Sequence, residues 1–461
     1  MNYFEYIEQL KDKKIGVIGY GVSNRPLVRV LLDAGCDVTV CDKRTAEAMG
    51  EAGEDLLARG GKLCSGDDYL DHLEFDVIFR TPGVLPTVPQ LKAAAERGTV
   101  LTSEMEAFCA LCPCRIVAIT GSDGKTTTST VTAKLLETAG YRVHLGGNIG
   151  TPLFDKLPEI APDDFVVLEL SSFQLHSMKC SPDRAIITNI SPNHLDVHSD
   201  FEDYVSAKKN IYRNQTRDGV LVLNAKDAHT AEFAAEANGE VRLFSSKGPV
   251  ENGAYMQYEI LCRANHGETE AYMESSDIRI PGVHNVENYL AALAAVGDLI
   301  TRDQFVEVAK TFPGVPHRME YLRTINGVKF YNDSIASSPT RTIAGLHALP
   351  VPPIVILGGH DKHIPFDTLG DELCLHAKAA VLCGETAERI AAAIKASEHY
   401  DPERFPVIVL DNFRSSVQVA YGLCGNGDIV TLSPACSSFD RFKNFEERGN
   451  IFRQIVMEME P

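Results

Sequence analysis

No stretch of this sequence stays apolar for anything near the roughly 20 residues that crossing a bilayer requires, so no membrane insertion is expected. The first segment, MNYFEYIEQLKDKK, is amphipathic and charged. It lacks the apolar core and small-residue cleavage site of a secretory leader. Basic residues are in short supply: 44 Lys and Arg stand against 63 Asp and Glu, for a net charge of -19. Phosphate backbones are held by clustered Lys and Arg, so no nucleic-acid partner is expected. Small phosphorylated ligands are not excluded, since they need only a few local donors. Cysteine is sparse, 12 residues in 461, and mostly scattered singly. A secreted disulfide scaffold is shorter and denser in Cys. Only Cys109, Cys112 and Cys114 cluster. Their LCPC run has the form of half a zinc site, but no partner pair of Cys or His at ligand spacing follows. Reduced, structural thiols in a cytoplasmic protein are the expectation. Internal repeats and low-complexity tracts are also missing.

What is present is a rhythm. Short apolar, β-branched runs alternate with helix-period segments: IGVIGY, DVTVCD, DVIFRTPG, RIVAITG, FVVLELSS, AIITNIS, GVLVLN, PIVILGG, AAVLCGE, PVIVLD and DIVTLSP. Buried strands joined by helices give parallel α/β sheets. At about 100–200 residues per domain, the length suggests roughly three domains. Two breaks fit that number, one at Ala107–Cys114 and one at Thr311–Pro316, where Pro313, Gly314 and Pro316 interrupt helix-period sequence. The expected division is 1–108, 109–312 and 313–461, and a monomer is expected.

Two glycine turns stand out. In KKIGVIGYGVSN, a strand runs into Gly19 and Gly21, the first two positions of a dinucleotide fingerprint, with Asn24 where the third glycine belongs. Asp42 ends the next strand, at about the 20-residue offset where an acid meets a ribose hydroxyl. In RIVAITGSDGKTTTSTVTAKLLETAG, a strand meets the turn made by Gly121, Ser122, Asp123, Gly124, Lys125, Thr126 and Thr127, and a helix follows. Such glycines let backbone N–H groups wrap phosphate, the lysine reaches the outer phosphates, and the hydroxyl of Thr126 is a magnesium ligand. Ile119 occupies the place of the first glycine of the common P-loop, so this is a shortened form. A dehydrogenase accounts for the first turn only, and a simple kinase or GTPase for the second only. A ligase that binds a nucleotide-activated substrate and also ATP accounts for both.

Glu169 lies inside the apolar run FVVLELSSFQL. A carboxylate there is costly unless it is paired or bound to metal, and holding the nucleotide's magnesium is its expected role. After RAIITNIS come His194 and Asp196, beyond a strand's C-terminal end, where open α/β sheets bind ligands. The pair Lys208–Lys209 follows on a helix-period segment, and by itself such a pair reads as a solvated face.

The motifs GSDGKTTT, GGNIGTPL, LELSSFQL, NHLDVH, SAKKNIY, GVHNVENYLAA, PHRME, YNDSIASSP, LGGHDK and LSPACSSFDRFKNFEERG resemble those of the Mur ligases, over essentially the whole chain. The resemblance implies α/β architecture in three domains: a Rossmann-like UDP-sugar-binding domain, a central P-loop ATPase-type domain, and a Rossmann-like C-terminal domain that supplies the amino-acid site and closes over the others. It implies ATP-dependent amide bond formation through an acyl phosphate, with two Mg2+ ions. The ELSSFQL and SPACSSFDRFKNF pieces point to UDP-N-acetylmuramoyl-L-alanine and D-glutamate as substrates. A sister ligase or a folylpolyglutamate synthase using another amino acid is the alternative. A catalytically inactive UDP-sugar sensor is a third reading.

Carried over by the resemblance, Val22, Ser23, Asp42, Lys43, Thr81, Gly83 and Asn148 contact the UDP-sugar. Lys125 and Thr126 serve phosphate and magnesium. Glu169, His194 and Lys208, the last as a carbamate, complete the metal group. Asn285 and Asn288 meet adenine, while Arg318 and Asp333 reach ATP from the third domain. Ser337, Lys362, Ser438, Phe439 and Phe445 form the D-glutamate pocket. The chain departs from the familiar NDSKAT at Ile335, which has no ammonium. Ser337 keeps the hydroxyl of the threonine it replaces. Another cation, Lys362 or His363, is expected to compensate.

Overall fold

The computed structural model describes residues 1–179, 181–191, 198–361 and 364–460. The chain forms two compact units, one of Met1–Ser275 with Glu287–Val308 and one of Ser276–Val286 with Ala309–Pro461.

The first unit holds two sheets. Five parallel strands make the first, in the spatial order Lys62–Ser65, Asp37–Asp42, Lys14–Ile18, Val77–Arg80, Val100–Thr102. Ile15, Val17 and Ile18 are wholly buried, as a strand covered on both faces requires. The strand order reverses beside Lys14–Ile18, so the chain leaves that strand and Val77–Arg80 at a switch point, where α/β sheets bind ligands. The second sheet has nine strands: Glu268–Glu274, Ile260–Asn265, Gly253–Gln257, Glu240–Ser245, Val220–Asn224, Arg184–Ile187, Arg115–Thr120, Phe165–Glu169 and Val143–Gly147. The first three pair antiparallel with one another, and from Gly253–Gln257 onward the neighbours pair in parallel. Arg115–Thr120 lies between Arg184–Ile187 and Phe165–Glu169. The phosphate turn and Glu169 therefore emerge side by side.

One apolar core runs from the first sheet into the second. Val28 on the helix Asn24–Asp33, Phe108 on the helix Glu104–Leu111 and Phe154 on the 3-10 segment Phe154–Glu159 all belong to it. Arg80, 2% exposed, ends a strand of the first sheet and donates to Ser177 Oγ at 2.7 Å and to the Phe173 carbonyl at 3.3 Å, on the helix and turn that follow the second sheet's strand Phe165–Glu169.

The second unit contains a six-stranded sheet ordered Glu320–Ile325, Val328–Asn332, Ile429–Leu432, Ile354–Leu357, Ala379–Leu382, Val407–Val409. Its first two strands are an antiparallel hairpin turned at Asn326–Gly327, both at positive φ. The others are parallel. The molecule is α/β throughout, as the alternating runs predict. Among the described residues no helix is long and apolar enough to cross a membrane.

Candidate active site

The N-terminal turn is built on a close approach. Gly19 has φ +81°, and a Cβ there would lie 2.9 Å from Thr81 Cγ2, so only glycine fits. Asn24, at the place of the third fingerprint glycine, donates its amide to the Ile18 and Gly19 carbonyls and ties the turn to the following helix. Thr81 and Gly83 leave the neighbouring strand beside it. Val22 is 69% exposed, Ser23 is half-buried, and Lys43 is exposed in an ion pair with Asp67. Asp42 is buried, which would raise its carboxyl. Arg44 and the N–H groups of Tyr20 and Arg44 outweigh that and push it down to about 2. Its oxygens are therefore fully charged and already hydrogen-bonded, to Tyr20 N at 2.7 Å and Arg44 Nη2 at 2.8 Å.

At the second turn, Gly121 (φ +149°) and Gly124 (φ +79°) have no space for a side chain: a Cβ would collide with Thr188 Oγ1 in the one case and Asn288 Oδ1 in the other. The turn is held from the next strand's loop. Ser122 N donates to Asn189 O at 2.9 Å, Asp123 N to Asn189 Oδ1 at 3.0 Å, and Ser122 Oγ lies 2.9 Å from the Tyr204 hydroxyl. Lys125 folds its ammonium over the turn, donating to the carbonyls of Gly121 at 2.9 Å and Ser122 at 2.8 Å. Thr126 and Thr127 open the helix Lys125–Thr138, whose N-terminus favours anions. Asn288, 6% exposed, accepts from Thr128 Oγ1 at 3.1 Å, so the adenine-assigned helix Val283–Val296 is joined to the phosphate turn's helix. Asn285, near the start of the same helix, donates to the Pro281 carbonyl.

Glu169 is 2% exposed. Its Oε1 accepts from Asn148 Nδ2 at 2.8 Å, while Oε2 is buried with no hydrogen-bond partner among the described residues. A lone buried carboxylate oxygen is what a hard cation would satisfy, so these donors fit magnesium. Asn148, assigned to the sugar substrate, thus also orients the carboxylate.

The lysine pair departs from the solvated face expected. Both are buried, Lys208 to 1% and Lys209 to 7%. Lys209 is paired with Glu232 and Glu236, each at 2.6 Å. Lys208 points the other way, donating to Gly121 O at 2.7 Å and Thr120 Oγ1 at 3.2 Å, over the Tyr204 ring at 4.7 Å. Burial and then the neighbouring Lys125 charge hold its ammonium well below the usual lysine range. The helix Phe201–Arg213 alternates these two lysines between opposite surroundings, which a sequence period does not reveal. His194 and Asp196 lie outside the described residues.

Sequence reading assigned no role to His198, whose side chain is fully buried. Its Nδ1 lies 2.9 Å from Asp203 Oδ2 and its Nε2 2.9 Å from Ser172 Oγ, tying the SSFQL turn after Glu169 to the Lys208 helix. His176 shares the same carboxylate at 3.1 Å.

In the second unit, Asp333 is wholly buried at 4% exposure, and burial pushes its carboxyl up to about 7 against hydrogen bonds from Ser433 Oγ and Met319 N and the charges of Arg318 and Arg341. Ile335 is half-buried, and the cation beside it is Arg341, donating to the Ile335 carbonyl at 3.4 Å. Lys362 and His363, the expected substitutes, lie outside the described residues. Ser438 is 2% exposed, Phe439 68% exposed, and Ser337 and Phe445 half-buried. Arg448 is the unforeseen residue here. Its buried guanidinium donates to Ser334 O and Oγ and to the Cys436 and Ser437 carbonyls, clamping NDSIAS against SPACSS. In sequence it reads as one more charge in FEERG.

Residues 119–296 match the family model described as Mur ligase middle domain, and residues 317–436 that described as Mur ligase, glutamate ligase domain. A protein of Acetivibrio thermocellus named UDP-N-acetylmuramoylalanine--D-glutamate ligase is 50% identical over 99% of this chain and 98% of its own. Its namesake in Clostridium kluyveri is 47% identical over 99% of each. Among solved structures, the UDP-N-acetylmuramate-alanine ligase MurC of Thermotoga maritima shares the fold, with a TM-score of 0.59 at 18% identity over 97% of this chain and 100% of that one. A MurF ligase of the same organism, crystallised with ADP, gives 0.57 at 16% identity over 98% and 97%. This chain belongs to the Mur ligase family of ligases.

Proposed function

We propose that the chain joins D-glutamate to UDP-N-acetylmuramoyl-L-alanine, converting ATP to ADP and phosphate, as a step of peptidoglycan precursor synthesis. Support for these substrates comes from the full-length likeness to ligases so named. The chemistry rests on one observation: Lys125 and Lys208 both donate to the Gly121 carbonyl of the phosphate turn, and the Glu169 oxygen unpartnered among the described residues stands at the end of the adjacent strand. The proposed division is 1–108 for UDP-sugar, 109–312 for ATP and 313–461 for the amino acid, each span holding one sheet.

A carboxylate is a poor electrophile, and phosphorylation activates it. The alanine carboxylate attacks the γ-phosphorus of ATP to give an acyl phosphate and ADP. The amine of D-glutamate then attacks that carbonyl, and phosphate leaves. Phosphoryl transfer depends on charge neutralisation and in-line positioning. The N–H groups of the Gly121–Thr127 turn and the Lys125 ammonium, now held on two carbonyls, bind the phosphates. Asn288 fixes the helix that meets adenine, with Asn285 on it. Thr126, Glu169, His194 and Lys208 as a carbamate would hold magnesium, which supplies positive charge to the phosphate oxygens. Arg318 and Asp333 are assigned to ATP, and Ser337, Lys362, Ser438, Phe439 and Phe445 to D-glutamate. Val22, Ser23, Asp42, Lys43, Thr81, Gly83 and Asn148 are assigned to the UDP-sugar.

Incubation with UDP-N-acetylmuramoyl-L-alanine, ATP and single amino acids, followed by mass measurement of the product, tests this reading. A product heavier by one glutamyl residue, formed with D-glutamate and not with L-alanine, diaminopimelate or lysine, is expected. A product formed with one of those others instead identifies a sister ligase.

A further inference from the structure

Cys112 caps the helix Glu104–Leu111, its N–H donating to the Phe108 carbonyl at 2.9 Å, and has φ -60° and ψ 123°. Pro113 follows, and Cys114 precedes the strand Arg115–Thr120 that ends at the phosphate turn. In extended backbone, residues two apart face the same side, and here this brings the two Sγ atoms to 3.6 Å. We propose that Cys112 and Cys114 are a reversible dithiol–disulfide pair, a redox modification site on the link between the first sheet's last helix and the strand of the phosphate turn.

Four features favour a reactive pair over packed structural thiols. A disulfide needs about 2.05 Å between sulfurs, so closure asks for a shift of about 1.5 Å, within the reach of side-chain rotation. Both residues are partly exposed, whereas Cys36, Cys41, Cys262, Cys383 and Cys436 are buried away from any oxidant. The Cys114 thiol, hydrogen-bonded to Cys112, holds Cys112 below the usual thiol range and is itself pushed up, so one sulfur is the nucleophile and the other the resolving thiol. Among the described residues, neither belongs to a group of three potential metal ligands.

The step balances with a peroxide as oxidant. The Cys112 thiolate attacks one peroxide oxygen and becomes a sulfenic acid, and the other oxygen leaves as water after protonation. Cys114 sulfur then attacks the sulfenyl sulfur and a second water departs. Two thiols lose two electrons and two protons, and peroxide is reduced to two waters. A bridge spanning a single proline is strained, and strained, accessible bridges are the ones thiols readily reduce.

The test uses the full-length protein, treated with a small excess of hydrogen peroxide, denatured, alkylated and digested with trypsin. The peptide 98–115 contains Cys109, Cys112 and Cys114. The expected product carries one alkyl group, on Cys109, and is otherwise lighter by two hydrogens. Dithiothreitol before alkylation restores three alkyl groups. Cys109→Ser leaves the bridge intact, while Cys112→Ser and Cys114→Ser each abolish it. The wild-type measurement does not depend on how the variants fold. Three alkylated cysteines after peroxide, a bridge to Cys109, or oxidation only to sulfinic acid would each overturn the proposal.

Discussion

At the scale of single residues, burial decides chemistry. Lys208 is 1% exposed and hydrogen-bonded to Thr120 Oγ1 and Gly121 O, with no carboxylate hydrogen bond among the described residues. Its neutral amine is the form that adds carbon dioxide, and the resulting carbamate is an oxygen ligand of the kind magnesium prefers. Lys208→Ala is expected to lose nearly all turnover and to recover part of it with added short carboxylates. Lys209, which only pairs with Glu232 and Glu236, is expected to tolerate alanine with activity kept. Full activity of Lys208→Ala would remove the carbamate from the account.

Glu104 shows the same force acting on stability. It is 3% exposed, and burial, with the charge of Asp155 adding, pushes its carboxyl from 4.5 up to about 8. The folded chain therefore holds the proton more tightly than the unfolded one. That contribution to stability is fully present below pH 4.5 and is lost as pH rises through about 8. Glu104→Gln should stabilise the protein by on the order of 1–3 kcal/mol at about pH 9 and far less at about pH 5. Melting curves at the two pH values check this; an equal effect at both would deny the buried acid. Sequence patterning gives Glu104 only as a first-turn acid of a helix, because it does not tell which helix face meets Phe154. For the same reason Lys208 and Lys209 read as solvent-facing, and Arg448 as a surface charge. Residues in special turns were plainer: Gly19, Gly121, Gly124 and Lys125 are legible because backbone geometry admits few alternatives there.

At the scale of elements, the eleven apolar runs all fall on strands. All but the edge strand Val407–Val409 are buried through most of their length, so their apolar, β-branched signal survives without context. The antiparallel strands between Gly253 and Glu274, and the hairpin from Glu320 to Asn332, were not read as strands. Their alternation is diluted by polar residues such as Glu268, Thr269 and Glu270, exposed at a sheet edge. Nor does sequence show how the first sheet is tied to the second. Arg80 contributes to that tie, ending a strand of one sheet and donating to Ser177 and Phe173, which follow the strand Phe165–Glu169 of the other. Arg80→Met keeps the stem and leaves those acceptors unpaired, at a cost of about 2–4 kcal/mol. Urea unfolding should show the lower midpoint, and calorimetry should show weakened UDP-sugar binding, since Thr81 and Gly83 follow directly. An unchanged midpoint would mean the tie is made elsewhere.

At the scale of the molecule, two glycine turns on separate sheets predicted a ligase before any fold was in view. Neither turn alone would have done so. The order of bond making remains the central claim: the substrate carboxylate, and not water, takes the γ-phosphoryl group of ATP. UDP-N-acetylmuramoyl-L-alanine labelled with oxygen-18 in its carboxylate decides it, by mass analysis of the phosphate released as D-glutamate is added. The account predicts that each phosphate carries one labelled oxygen and that the new amide keeps the other. Unlabelled phosphate, with stoichiometric amide product, would contradict it.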